Sequence, residues 1–286
     1  MKKIHFTTFL VLSTTLVFAQ KDFSPRFSNK GDKIAFYSYR NNGEPEIFVI
    51  NADGKNLKQI TPSDGKWAIE PRWSPDDESI GFSMGENMGS LKVNTFNIKN
   101  KETMMLPLKK EMTGTQFISS WTQQGLEFAL KDKDGLKYYN YNFAHNNTAP
   151  IKIQGFEKYS LVTSNNNDYR ILSVEDESKK GAWLLGMDGT TKKLTNLVAR
   201  NIVFSKKNKM IFFEATQNGN IDIYSVRLSG KNLKRITTHE SSDYMPSIDP
   251  TGKFLVFSSG RSEKSFFLYK KNLKTGQITQ ITGNEK

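Results

Sequence analysis

A unit of about 41 to 48 residues recurs six times along the chain, and this repetition limits the folds that the sequence can adopt. The clearest copies begin at Ser24, Glu70 and Met245, and each combines a Pro-x-apolar segment, a polar turn and a strand that ends in Phe. The central apolar residues of the six copies are Phe27, Trp73, Trp121, Val162, Phe204 and Ile248. Such a period accommodates four short strands, which is the size of one propeller blade.

The remainder of each unit agrees with this interpretation. A third strand such as residues 46–50 is followed by a tight Asp53-Gly54 turn and by a short fourth strand that ends in Ile-Thr, as at residues 59–61. We therefore predict an all-β, six-bladed β-propeller of four-stranded blades over residues 20–286, closed by packing and with aromatic residues between the blades. The third and fourth blades, at about 114–153 and 154–195, are the most degenerate copies.

Residues 1–19 have the features of a signal peptide. Lys2 and Lys3 precede a mostly apolar run from Phe9 to Phe18, and Ala19 ends a plausible cleavage site. The alternative, an N-terminal membrane anchor, needs a longer apolar run. We expect cleavage after Ala19, a periplasmic or secreted protein, and no membrane span after cleavage.

The repeat resembles the β-propeller of the TolB family. Residues 71–76 read Pro-Arg-Trp-Ser-Pro-Asp, residues 34–40 read Ile-Ala-Phe-Tyr-Ser-Tyr-Arg, and residues 257–261 read Phe-Ser-Ser-Gly-Arg. The resemblance implies a periplasmic, protein-binding propeller. TolB proteins carry an α/β domain ahead of the propeller, whereas these repeats begin directly after the predicted signal, so we expect a stand-alone propeller.

Catalytic and metal-binding motifs are scarce in this sequence. The chain has no Cys, and beyond the predicted signal it has only His145 and His239. Two histidines cannot form a multi-histidine metal site, and neither a Walker loop nor a dinucleotide motif occurs. The G-x-S-x-G segment at residues 81–85 falls on a predicted strand, whereas a nucleophile elbow needs a strand, a sharp turn and a helix. We therefore predict no catalytic residues, no metal site and no cofactor.

Function is expected to reside in loops on one face of the ring. The candidate partner-binding residues lie in or beside the loops that join the second and third strands of a blade, or those that join successive blades: Arg40, Trp67, Glu70, His239, Tyr244 and Arg261. The competing interpretation is that the aromatic residues pack between blades and the arginines pair locally.

Formal net charge is +12, or +10 without Lys2 and Lys3. A strongly basic exported protein can attract an anionic glycan, lipid headgroups or an acidic protein, whereas no motif points to nucleic acid. The competing interpretation is that the lysines, which are spread along the chain, are solvated on strand surfaces.

The leading hypothesis is thus an exported, monomeric, non-enzymatic scaffold that binds a protein or envelope component through one loop face. The alternative hypothesis is a lyase or hydrolase that acts on carbohydrate or peptide in the central channel. Two carboxylates facing one cavity would favour the enzyme.

Overall fold

The computed structural model describes residues 20–41, 43–186, 188–205, 209–262 and 265–283. Blades 1 and 2 contain β1 (Asp22–Phe27), β2 (Lys33–Ser38), β3 (Glu46–Asn51), β4 (Lys58–Gln59), β5 (Trp67–Trp73), β6 (Ser79–Gly85), β7 (Lys92–Asn97) and β8 (Thr103–Met105). Blades 3 and 4 contain β9 (Thr115–Thr122), β10 (Gly125–Asp132), β11 (Gly135–Asn142), β12 (Asn147–Ile151), β13 (Tyr159–Thr163), β14 (Tyr169–Val174), β15 (Gly181–Gly186) and β16 (Thr191–Thr195). Blades 5 and 6 contain β17 (Arg200–Ser205), β18 (Met210–Gln217), β19 (Asn220–Arg227), β20 (Lys234–Arg235), β21 (Asp243–Ile248), β22 (Phe254–Ser262), β23 (Ser265–Asn272) and β24 (Ile278–Gln280).

Each blade is an antiparallel sheet of four strands that follow one another in the sequence. This confirms the predicted six-bladed propeller, and the third and fourth blades lie close to their predicted bounds. Along the described part of the chain, no helix has the length and apolarity needed to cross a membrane. The predicted signal, residues 1–19, lies outside the described residues.

Successive side chains of the second strand of each blade pack against the two neighbouring blades in turn. Ile34 and Phe36 pack with Val256 and Leu268 of blade 6, whereas Ala35 between them packs against blade 2. Successive side chains of a strand point to opposite faces of the sheet, so a strand buried on both faces stays apolar throughout. Six apolar clusters result, one at each junction between consecutive blades.

Packing and side-chain hydrogen bonds close the ring between blades 6 and 1. The hydroxyl of Ser247 accepts a hydrogen bond from the Phe27 N–H at 3.0 Å, and Arg26 Nη1 donates to the Pro246 carbonyl at 3.2 Å. Within the described ranges each sheet takes its four strands from one repeat, and Lys21 adds a single parallel bridge to Phe266. The ring is therefore closed by packing, by side-chain hydrogen bonds and by this one backbone bridge.

In blades 1, 5 and 6 the short fourth strand ends earlier than the sequence pattern predicts, because the threonine side chain takes the place of a backbone acceptor. Thr61 Oγ1 accepts from the Ile47 N–H at 2.9 Å, and Thr237 Oγ1 accepts from the Ile223 N–H at 3.0 Å. Thr282 contacts the third strand of blade 6 in the same way. The Ile-Thr motif is thus a side-chain cap on the third strand.

The inner strands of blades 1, 2, 5 and 6 each carry a β-bulge at the same position. The residues that adopt positive φ there are Ser24 (53°), Glu70 (56°), Asn201 (49°) and Met245 (52°). A bulge changes the direction of the side chains that follow it. In blades 1 and 2 the residues after the bulge include Arg26 and Arg72.

Candidate binding site at the central channel

The antiparallel topology gives the ring two distinct faces. We call the face with the β2–β3 loops and inter-blade connections the connector face, and the opposite face, with the β1–β2 turns, the hairpin face. An axial cavity of about 130 Å³ is lined by residues from the inner strands of all six blades, among them Arg26, Arg72 and Ser119. Asn29 and Asn165, from turns on the hairpin face, also line it and hydrogen-bond to each other at 3.0 Å.

Buried charges are grouped around this channel. Burial lowers the pKa of Arg26, the neighbouring Arg72 lowers it further, and the carboxylates of Glu70 and Glu214 act in the opposite direction. Burial also lowers the pKa of Arg72, again against the effect of Glu70. Glu214, on β18, accepts a hydrogen bond from the Met245 N–H at 2.7 Å, and burial raises its pKa. Two arginines and two glutamates therefore share one electrostatic environment.

Aromatic side chains form a continuous group on the connector face, where blades 1 and 6 meet. We call this group the aromatic cluster; its members are Phe23, Tyr37, Tyr39, Tyr244 and Phe266. Ring centroids are 5.2 Å apart for Phe23 and Phe266, 5.7 Å for Phe23 and Tyr37, and 5.9 Å for Tyr244 and Phe266. All five side chains are half-buried.

Tyr37 connects the aromatic cluster to the charges of the channel. Burial raises its pKa, and Tyr39, Glu70 and Glu214 raise it further, whereas Arg26 lowers it. The Tyr37 ring therefore lies at the border between an apolar surface and the charged channel.

Arg40 and Arg261 occupy equivalent positions in blades 1 and 6, and both form local ion pairs. Arg40 Nη2 lies 3.0 Å from Oδ1 of the fully buried Asp22, and its guanidinium lies over the ring of Phe48. Arg261 Nη2 lies 2.9 Å from Oδ1 of Asp243, which is also fully buried. The guanidinium groups thus anchor the start of the inner strands.

The other four predicted residues are distributed over the connector face and the channel. Trp67 is half-buried at the start of β5. His239 precedes β21, and its Nδ1 accepts a hydrogen bond from the Ser241 N–H at 3.0 Å. Glu70 and Tyr244 are the two that the structure brings to the channel charges and to the aromatic cluster, respectively.

Sequence reasoning missed Arg26, Arg72, Glu214 and Tyr37 as site residues. The repeated Pro-Arg-Phe and Pro-Arg-Trp segments contain a usable signal, because a charged residue recurs at the same place in an inner strand. Glu214 offers a similar signal, since it is a charged residue within the apolar strand Met210–Gln217.

The remaining polar residues in strands have structural roles. Ser83, within the G-x-S-x-G segment, lies in β6 as predicted, and its hydroxyl accepts a hydrogen bond from the Ile118 N–H at 3.0 Å across the junction of blades 2 and 3. Glu127 is buried between blades 3 and 4, where it contacts Thr163 and Arg170. Among the described residues, no group of three or more His, Asp and Glu side chains is arranged to hold a metal ion.

Solved structures share this architecture, although no family model matches the sequence. TolB from Acinetobacter baumannii aligns with 88% of this chain and 64% of its own length, at 14% identity and a TM-score of 0.69. The fold is a TolB-like β-propeller.

Enzymes are also among the similar structures. The tricorn protease aligns with 94% of this chain, at 16% identity and a TM-score of 0.71, but the aligned region is only 27% of that protein. Oligogalacturonate lyase from Vibrio parahaemolyticus aligns with 92% of this chain and 77% of its own length, at 13% identity and a TM-score of 0.58. Because TolB, a protease and a lyase share the architecture, the likeness identifies the fold and leaves the activity to the residues of this chain.

Proposed function

We propose that this chain is an exported, non-enzymatic propeller that binds a protein or another envelope component on its connector face, at the aromatic cluster. The observation that carries this proposal is the position of Phe23, Tyr37, Tyr39, Tyr244 and Phe266, which form one half-buried surface on the connector face.

The aromatic cluster is preorganised for binding. Aromatic rings supply much apolar contact area for few rotatable bonds, and tyrosine adds a hydroxyl for hydrogen bonding. These rings contact one another within a closed ring of sheets, so little side-chain freedom is lost when a partner binds. Glu70 and Glu214 lie within electrostatic range of Tyr37 and would favour a partner with a positive or hydrogen-bond-donating group.

The six residues proposed from the sequence divide into two roles under this proposal. Glu70 and Tyr244 contact the partner, and Trp67 and His239 border the same face. Arg40 and Arg261 act indirectly, because their ion pairs with Asp22 and Asp243 hold the strands that carry Phe23 and Tyr244.

Export is part of the same proposal. Lys2, Lys3, the apolar run after them and Ala19 support removal of residues 1–19 and a periplasmic or secreted location. A monomeric ring would then present the aromatic cluster to other components of the envelope.

A second candidate function is hydrolysis or lysis of a carbohydrate or peptide in the channel. Glu70 and Glu214 both act on the pKa of Tyr37 and of Arg26, so two carboxylates lie within electrostatic range of the same two side chains, although neither lines the axial cavity. Burial raises the pKa of Glu214, as a general acid requires. Turnover of a glycan or peptide by the purified protein, lost in Glu70→Gln and in Glu214→Gln, would favour this candidate.

Capture of envelope components by the purified, immobilised protein tests the binding proposal. The double variant Tyr39→Ala/Tyr244→Ala should retain the β-sheet circular dichroism spectrum and lose the captured component. Tyr169→Ala is the matched control, because Tyr169 is an exposed tyrosine on the hairpin face. Equal capture by the folded double variant and the wild type would contradict the proposal.

A further inference from the structure

The hairpin face has an entrance of its own to the channel. Beyond the axial cavity, a second cavity of about 290 Å³ opens among the turns of this face. The two cavities share five lining residues: Phe27, Asn29, Asn165, Phe204 and Ile248. The two cavities therefore adjoin on the side of the ring away from the aromatic cluster, and the hydrogen bond between Asn165 and Asn29 lies among the residues that line both.

Two guanidinium groups are fixed in the wall of the axial cavity by backbone carbonyls. Arg26 Nη1 donates to the carbonyl oxygens of Pro25 and Pro246, at 2.9 and 3.2 Å. Arg72 donates through Nε to the Ser119 carbonyl at 3.0 Å and through Nη1 to the Pro71 carbonyl at 2.9 Å. Carbonyl acceptors orient a guanidinium without cancelling its charge, and a guanidinium has five N–H donors, more than these bonds use.

Of the described residues that line the axial cavity, none is acidic. Among the residues that the structure describes, neither Arg26 nor Arg72 has a carboxylate oxygen within 4.0 Å. Glu70 and Glu214 act on these arginines from a longer distance. The cavity therefore has two neighbouring positive charges in its wall and no negative charge of its own.

A third polar group faces the same cavity wall. Among the residues that the structure describes, none hydrogen-bonds to the buried Ser119 Oγ. A buried hydroxyl is more stable when it is hydrogen-bonded, so this one can donate to a bound group. Because the carbonyl of the same residue holds Arg72, the hydroxyl and the guanidinium belong to one wall of the cavity.

We propose that Arg26, Arg72 and Ser119 form a binding site for a small oxyanion, a carboxylate or a phosphate, that enters from the hairpin face. Guanidinium groups bind both oxyanions through paired N–H donors, and the serine hydroxyl can donate a further hydrogen bond. Phe27, Trp121 and Phe204 complete the walls, so the site suits a compact anion or an anionic end of an apolar ligand.

Isothermal titration of the purified protein with sodium acetate and with sodium phosphate, at constant ionic strength in chloride, tests this site. We expect saturable binding of at least one of the two anions, and the stronger one identifies the chemistry of the natural ligand. Arg72→Gln should weaken binding by roughly tenfold or more, as expected for a charged hydrogen bond. Ser119→Ala should weaken it less, by a few-fold.

Arg200→Gln is the matched control, because Arg200 is exposed and pairs with Glu175. It should bind the anion as the wild type does. Arg26→Gln is the riskier variant, since Arg26 helps to close the ring, so circular dichroism must show that each variant is folded. Absence of saturable binding of both anions to the wild type would overturn the proposal, and so would undiminished binding to folded Arg72→Gln. Neither result depends on the partner proposed for the connector face.

Discussion

At the scale of single residues, the stability of blade 1 depends on one buried ion pair. Burial raises the pKa of Asp22, and Arg40 opposes that effect from 3.0 Å. Arg40→Ala would leave the carboxylate buried without its cation, which typically costs about 3–5 kcal/mol. We expect this loss in chemical denaturation at neutral pH.

Two comparisons show whether the unpaired charge of Asp22 causes the loss of stability in Arg40→Ala. The deficit of Arg40→Ala should shrink as the pH falls, because a protonated Asp22 needs no cation, and Asp22→Asn in the same background should restore part of the stability. Lys55→Ala, which removes an exposed ion pair with Asp53, should change stability little. A pH-independent deficit would indicate that lost packing of the arginine is the cause.

Glu214 predicts a different dependence on pH. Because burial raises its pKa in the folded state, the folded protein binds more protons than the unfolded chain between the ordinary and the raised pKa. The free energy of unfolding should therefore decrease as the pH rises through that interval. Glu214→Gln lacks this dependence, so wild type should lose stability relative to the variant over the same interval. Denaturation curves of both proteins from acidic to neutral pH would show it; parallel curves would contradict it.

At the scale of strands, a repeated phenylalanine on the second strand supports five of the six blades. Phe36, Phe82, Phe128, Phe213 and Phe257 are fully buried at this position. The register of blade 4 places Ser173 at this position, and none of the described residues hydrogen-bonds to its buried hydroxyl. Blade 4 is thus degenerate in sequence because a polar residue replaces the main apolar contact.

This difference predicts opposite effects of substitution to alanine. Phe257→Ala should lower the free energy of unfolding by about 3–5 kcal/mol, as large-to-small changes in a core do. Ser173→Ala should raise it by about 1 kcal/mol, because a buried hydroxyl without a partner is removed. Chemical denaturation of both variants measures the two changes. A clear loss of stability in Ser173→Ala would mean that its hydroxyl has a partner such as ordered water.

The strands themselves could be predicted from the sequence because their causes are local. Alternation of apolar residues, Asp-Gly turns and Pro at the inner strands act within a few residues of one another. The Ile-Thr ends of the fourth strands were predicted too long, since the hydrogen bond of Thr61 runs from its side chain to a residue 14 positions away. Local pattern does not reveal that kind of bond.

At the scale of the whole molecule, the site could be predicted only in part. Tyr244 and Glu70 were proposed because loops of one face share a position in every repeat, and the structure places them in the aromatic cluster and near the channel charges. Arg26 and Arg72 converge on the axis only when six blades close, and Glu214 reaches Met245 from the neighbouring blade, 31 residues away. That Arg40 contacts a partner stays a prediction. Its ion pair with Asp22 was not predicted, because it joins residues 18 positions apart and depends on the bulged inner strand.

Export gives a prediction for the whole chain. If residues 1–19 are a signal peptide, the protein isolated from the envelope or medium should begin at Gln20. Mass spectrometry of the intact protein determines its first residue. A chain that retains Met1 in that fraction would contradict cleavage and favour an N-terminal anchor.

Site-specific photo-crosslinking in the cell tests whether a partner binds at the aromatic cluster, because it identifies the face that contacts the partner. A photoreactive phenylalanine analogue would replace Tyr244 in the aromatic cluster or, as the control, Tyr169 on the hairpin face. If the partner binds at the aromatic cluster, we expect a discrete crosslinked species from position 244 and none from position 169. A species from position 169 alone, or no species from position 244, would contradict binding at the aromatic cluster.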